Sequence, residues 1–288
     1  MSDFWTAQLV LALALNLVVQ TIQIGAYAAR LAGVQSGRIA TSISLFNLFV
    51  LASRLANLAY APMLGTLSDR VAHAERAARA VGQHALADAA IHQFDWQIRS
   101  IVLAGTAGTA LGALLLPTFL HLFLRGIAAF ERLRSIPKAL LRLFDPRVML
   151  GILRSPRLPP LASLTRFSPR RLPTELLVGN VIVTGVYAVG VVASVYASVL
   201  EPEVARTAVL LSGVVNGIAT IAFSLIVDPT SAYITDQAVK GERPLSDVKS
   251  MVFYLSLTAI VGTLLSQLIL YPGALLIGGV AHLVNSLH

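Results

Sequence analysis

Residues 39 to 69 read IATSISLFNLFVLASRLANLAYAPMLGTLSD, an apolar run of membrane-spanning length that carries Asn47, Arg54 and Asn57 where leucines would be expected. A span needs about 20 mainly apolar residues. A charged residue inside one is rare enough to be treated first as a functional residue. Arg54 lies about 22 Å along the helix from Ile39 at roughly 1.5 Å per residue, nearer the far end than the middle. Arginine near a helix end can snorkel to the interface. A side chain that only needs water gains nothing, however, from Asn47 two turns deeper on the same face. Ser44, Asn47, Arg54 and Asn57 fall within roughly 140° on a helical wheel, and Pro62 and Gly65 are expected to close the span.

The rest of the chain sets the class. Hydrophobic residues make up 56% and charged residues 12%, with a mean hydropathy of +0.75, whereas about a quarter of residues are charged in a soluble domain. These values describe an all-α integral membrane protein. The formal charge of +8 could suggest nucleic acid, but 11 of the 22 basic residues lie between Arg125 and Arg171, beside apolar spans. Anionic lipid headgroups are the nearer partner there, and no nucleic acid is expected. There is no cysteine, which excludes disulfides, thiolate metal sites and a cysteine nucleophile.

Before this stretch, Met1-Ser2-Asp3 lacks the basic start of a signal peptide, and residues 4–29 are read as a retained first span. Within it Asn16, Gln20, Gln23, Tyr27 and Arg30 are spaced 4, 3, 4 and 3 residues apart, which confines them to a sector roughly 80° wide. Such a stripe can serve as hydrogen-bonding glue between helices or as one wall of a polar passage. Two neighbouring spans thus each present a polar face.

After it, residues 69–99 hold four basic and four acidic residues among alanines, which suits a helix or helical hairpin outside the membrane core. His73, His84 and His92 lack the i, i+4 spacing of a helical zinc pair, so neither a metal nor any other cofactor is expected. Residues 101–124 form a third span in which Gly108 and Gly112 match the small-xxx-small pattern of close packing, and Pro117 is expected to kink it. Residues 125–175 then carry 11 basic against three acidic residues and seven prolines from Pro137 to Pro173. Segments such as Lys138–Leu153 suit a helix lying in the interface, and the basic excess places this loop in the cytoplasm.

Three more spans follow. Residues 176–200 repeat the stripe with Asn180, Thr184, Tyr187, Ser194 and Ser198; residues 208–227 carry Ser212, Asn216, Thr220 and Ser224 and are expected to end at Asp228-Pro229. Residues 252–270 form the sixth. Tyr271-Pro272-Gly273 is expected to break or kink it, leaving residues 274–287 as a half-helix or a continuation. About six helices around a polar-lined groove result. With the basic loop inside, the tally is 16 basic residues inside against five outside, which puts the amino terminus outside.

No glycine-rich phosphate loop is present, so the chain has no nucleotide motor of its own. The residues alone leave three functions open: passage of an amphipathic lipid, an intramembrane enzyme acting on lipid phosphates, and an ion-coupled transporter of a small solute. An arginine in a groove can pair bidentately with a diphosphate. Arg30 through Val34, Ser44 through Asn47, Ser53 through Asn57, Pro62 through Asp69, Asp228-Pro229, Thr235-Asp236 and Gly262 through Leu268 together resemble the signature blocks of the Amj family of bacterial lipid II flippases. That resemblance implies a multi-pass protein of a bacterial cytoplasmic membrane, without enzymatic turnover. Its partner would be lipid II, the undecaprenyl-diphosphate-linked disaccharide pentapeptide, moved from the inner to the outer leaflet in place of the larger MurJ-type flippase. Arg30, Asn47, Arg54, Asn57, Asp69, Asp228 and Asp236 match family positions. We expect Arg30 and Arg54 to meet the diphosphate and Asn47, Asn57, Gln20, Gln23, Tyr27, Asn180, Tyr187 and Asn216 to solvate sugars and peptide. Asp69, Asp228 and Asp236 are candidates for coupling or gating.

Overall fold

The computed structural model describes residues 4–133 and 167–287. Most of the basic loop, including the interfacial helix expected over Lys138–Leu153, lies outside the described residues. What is described is helical, with no strand. Helix α1 (Ala7–Ser36) starts at Thr6, whose hydroxyl accepts the Leu9 N–H at 3.2 Å, answering one of the donors that a helix start leaves open. It ends at Gly37, whose φ of 68° belongs to the left-handed region that glycine enters freely. The chain then reverses into α2 (Ile39–Ala80). Gly33 makes that reversal tight, since a Cβ there would lie 2.8 Å from the Ile39 Cα.

Helix α3 (His84–Leu114) and α4 (Leu116–Leu133) follow, then α5 (Thr174–Leu200), α6 (Ala205–Leu210), α7 (Ser212–Ala222), a π-helical turn over Phe223–Val227, α8 (Asp228–Val239) and α9 (Leu245–Asn285). Five helical runs are long and apolar enough to cross a membrane, one of them the continuous run Pro202–Val239. The bent pair α3 and α4 makes a sixth. The protein is a multi-pass α-helical membrane protein.

Prolines shape these helices differently from the sequence reading. α2 does not close at Pro62 but runs on to Ala80. A proline removes one hydrogen bond at a cost of about 3 kcal/mol, and the alanine- and arginine-rich stretch beyond it favours helix strongly enough to continue. The expected end at Asp228-Pro229 is likewise absent. A π turn precedes Asp228, and Pro229 then falls in the first turn of α8, where its missing N–H is not needed. The third span bends by 61° at Leu115, just ahead of Pro117. Pro272 lies inside α9, which continues to Asn285, the continuation of the two forms left open.

At about 1.5 Å per residue the 42 residues of α2 extend some 63 Å, twice a hydrocarbon core of about 30 Å. Its charged second half, with Asp69, Arg70, Glu75, Arg76 and Arg79, therefore projects beyond the bilayer. It returns through Gly82 (φ 73°) into the head of α3.

α1 is the central strut, packed against α2, α3, α4 and α9. It meets α3 where the sequence placed its glycines. A Cβ on Gly108 would collide with the Leu17 carbonyl, and one on Gly112 would lie 2.8 Å from the Thr21 carbonyl oxygen. The Thr21 hydroxyl donates to the Gly108 carbonyl at 2.9 Å, and the small-xxx-small pair serves an intramolecular contact. α5 and α9 form a second close pair, with a Gly185 Cβ falling 3.0 Å from the Gly262 carbonyl oxygen. Lipid is as apolar as leucine, so packing and polar links such as these hold the helices together.

The apolar core is split between the two ends of the bundle. At the hairpin end Tyr60, Leu64, Phe94, Ile98, Tyr196 and Leu270 pack together. At the other, Ile24, Leu31, Leu176, Val227, Met251 and Leu255 do so. Between Phe49 and Tyr60, no described residue of α2 belongs to a core cluster.

Candidate functional site

The polar stripe of α1 divides among its neighbours. Asn16 turns to α3, its Nδ2 donating to the Ile101 carbonyl at 2.8 Å, and Gln20 is buried beside Gly105. On the other side, the Tyr27 hydroxyl donates to Asn180 Oδ1 at 2.9 Å. Asn180 Nδ2 donates in turn to the Leu255 carbonyl at 2.8 Å and to Thr258 Oγ1 at 2.9 Å. Asn180 is fully buried and both ends of its amide are engaged, so it joins α1, α5 and α9. One turn earlier on α1, Gln23 Nε2 lies 3.5 Å from the Tyr187 hydroxyl on α5.

At the end of the stripe Arg30 forms an ion pair with Asp228. The guanidinium is mostly covered and the carboxylate is partly open, with side-chain exposures of 18% and 40%. Asp228 is presented by the first turn of α8, immediately after the π turn. Wide turns of this kind often mark functional sites within helices.

Arg54 is placed otherwise. It is exposed on α2 and has no hydrogen bond or ion pair among the described residues. α2 packs against α5, the helix that carries Tyr187. Asn47 is exposed and Asn57 is half-buried, and neither has a hydrogen-bond partner among the described residues. Leu51 and Leu58, 49% and 71% exposed, share the face of Asn47 and Arg54 on the helical wheel. Among the described residues, the middle of α2 therefore presents amides and a guanidinium without hydrogen-bond partners beside apolar side chains. An amphipathic ligand with an anionic head and an apolar tail meets that combination.

The remaining expected residues lie apart. Asn216 on α7 presses against Gly190 of α5, and its buried Oδ1 lacks a partner among the described residues. Asp69 is exposed on the projecting half of α2, and Asp236 is exposed on α8. The described structure thus brings Gln23 and Tyr187 together, with Tyr27 and Asn180 adjoining, and leaves Arg54 on α2, which packs against α5, without a hydrogen bond to them. It places Arg30 and Asp228 at one end and leaves Gln20, Asp69, Asn216 and Asp236 outside that group.

A second polar cluster is not singled out by sequence reasoning. Asp95 and Arg99 of α3 and Tyr196 of α5 meet at the hairpin end, with Tyr196 donating to Asp95 Oδ1 at 2.9 Å. The available signal is the 4, 3, 4 spacing of Asp88, His92, Asp95 and Arg99. It repeats the pattern that identifies the α1 stripe.

The sequence profile of a family described as "Amj: Alternate to MurJ" matches residues 15–281. A relative from Bacillus subtilis (strain 168), named "Lipid II flippase Amj", is 34% identical over 270 residues, covering 93% of this chain and 95% of its own. No solved structure matches.

Proposed function

This chain belongs to the Amj family, and on that premise we propose that it is a lipid II flippase that carries the undecaprenyl-diphosphate-linked precursor across a bacterial cytoplasmic membrane. The observation that carries the reading is Arg54, a guanidinium without a hydrogen bond or ion pair among the described residues, flanked by exposed leucines. An arginine within a span is costly, up to about 2.5–3.5 kcal/mol at its centre on insertion scales and less toward its end. A bound diphosphate offsets that cost, because its oxygens match the planar fork of the guanidinium. The prenyl chain stays in lipid along Leu51 and Leu58 while Asn47, Asn57, Gln23 and Tyr187 replace water around the headgroup. Movement of a head through a polar groove breaks no covalent bond, so the protein acts as a transporter without enzymatic turnover.

In this reading the amino terminus and the α2–α3 hairpin face outside and the Arg30–Asp228 end faces the cytoplasm. Arg30 enters the diphosphate path when its ion pair with Asp228 opens. Asp228 thereby gates, with Asp69 and Asp236 as further candidates for coupling. The basic loop gathers anionic lipid headgroups at the cytoplasmic surface. The test is the appearance of lipid II on the far leaflet of vesicles containing purified protein. Wild type is expected to equilibrate the lipid between leaflets, and Arg54→Ala to do so at least about tenfold more slowly, the loss of a charge-assisted pair. Equal rates in a correctly inserted Arg54→Ala protein would remove Arg54 from the path.

A further inference from the structure

At the hairpin end a cavity of about 400 Å³ opens between the head of α3, the tail of α5 and α9. Ligand sites commonly fall between about 300 and 1,000 Å³. One wall is a polar face of α3 bearing Asp88, His92, Asp95 and Arg99, and the other is built from Tyr196 and Tyr271, whose ring centroids are 6.1 Å apart.

The floor is locked. Asp95 accepts from Tyr196 through Oδ1 at 2.9 Å and from Arg99 Nε through Oδ2 at 2.8 Å. Arg99 Nη1 donates to the Gln267 carbonyl at 3.3 Å, and Gln267 Nε2 donates back to the Arg99 carbonyl at 3.0 Å. None of these bonds depends on a ligand, so the wall is preorganised. The rim is free to bind. The Asp88 carboxylate is 72% exposed and only 3.7 Å from Arg79, His92 is exposed and edge-on to Trp96, and Tyr271 is 45% exposed.

Asp95 is paired with Arg99 and Asp88 with Arg79, so among the described residues no guanidinium without a carboxylate partner lines the cavity to hold a phosphate. Aromatic faces opposite a row of acceptors and donors suit a neutral polyhydroxylated ring, whose C–H face rests on a tyrosine while its hydroxyls bond to carboxylate, imidazole and hydroxyl groups. Tyr187, bonded to Gln23, and Tyr196, in the cavity, are nine residues apart on α5, about 14 Å along the helix. Nine residues also turn the helix by about 180°, so the two tyrosines face opposite sides of α5 and the cavity is a site apart from the Gln23–Tyr187 pair.

We propose that this cavity is a saccharide-binding vestibule that receives the disaccharide of the transported headgroup as it emerges beside the α2–α3 hairpin. The proposal rests on the flippase reading for the source of the sugar, and its test stands apart from transport. The probe is the N-acetylglucosamine–N-acetylmuramic acid disaccharide with its lactyl carboxyl capped as a simple amide and so uncharged, without phosphate, lipid or peptide, titrated into full-length protein in lipid nanodiscs. The chain has two tryptophans, and a Trp5→Phe background leaves Trp96, beside His92, as the fluorescent reporter.

Saturable quenching is expected. Tyr271→Ala and Asp88→Ala should each weaken binding about tenfold, and Tyr271→Phe, which keeps the ring, should bind within about threefold of wild type. Asp88 is exposed enough for its removal to leave the fold intact. Absence of saturable binding, wild-type affinity in both alanine variants, or binding of the free stem peptide in place of the disaccharide overturns the proposal. Lipid II transport by protein that does not bind disaccharide defeats the vestibule alone. Disaccharide binding by protein that moves no lipid defeats the flippase reading alone.

Discussion

Arg30 and Asp228 form an ion pair that ties the end of α1 to the start of α8, while Arg54, the other arginine of the first two spans, has no such partner among the described residues. One guanidinium is neutralised where the apolar core closes around Ile24, Val227 and Leu255. The other remains available where no core cluster forms. In the proposed function this division gives ligand capture to Arg54 and makes Arg30 conditional on its carboxylate.

Arg30→Gln and Asp228→Asn are each expected to slow lipid II transport while leaving membrane insertion unchanged, and the exchange Arg30→Asp with Asp228→Arg is expected to restore part of it. Asp228 is 40% exposed, so the pair contributes only about 0–1 kcal/mol to stability. Thermal unfolding should therefore move little in all three variants. A large loss of stability together with the transport defect would make the pair structural.

Arg54→Lys and Arg54→Ala should separate charge from geometry. Lysine keeps a point charge but loses the planar fork, so Arg54→Lys is expected to transport at a rate between those of wild type and Arg54→Ala, in the same vesicle measurement. Identical rates for lysine and arginine would mean that a field, and not a bidentate contact, is what the lipid meets.

Asn180→Leu tests the polar junction. The substitution leaves the buried Tyr27 hydroxyl without its acceptor, which should cost about 1–3 kcal/mol. The double variant Tyr27→Phe with Asn180→Leu should recover part of that loss. The midpoint of unfolding in detergent reads both effects.

Gly108→Val forces a side chain into the Leu17 backbone. Overpacking of this kind costs about 1–3 kcal/mol or more, and lower yield of folded protein with a lower unfolding midpoint is expected. Gly213→Ala, where nothing lies within 4 Å of the added carbon, should behave as wild type.

The membrane class and the stripe of α1 are legible in the sequence because both depend on local composition and period. The destination of the stripe is not. An 80° sector looks like one wall, but α1 stands between α3, α5 and α8, so Asn16, Tyr27 and Arg30 face different helices. Asn180 is legible as polar and buried, though not as a three-helix junction, since its partners lie 75 to 153 residues away. Pro62 and Asp228-Pro229 are read too strongly as helix ends, whereas continuation past Pro272 is one of the two forms the sequence leaves open. Pro62, Pro229 and Pro272 sit within or just inside helices because neighbouring residues supply enough helical preference or a wide turn absorbs the conflict. The cluster of Asp95, Arg99 and Tyr196 goes unseen because α5 lies about a hundred residues away, across the basic loop.

The wide turn at Phe223–Val227 holds one residue more than an α-helical turn would need. Tightening it to ordinary helix would rotate everything that follows by about 100°, one residue's share of a turn, and swing Asp228 away from Arg30. If Asp228 gates as proposed, the pair would be a rotary latch, its open and closed positions differing by the placement of a single spare residue rather than by a hinge between rigid halves.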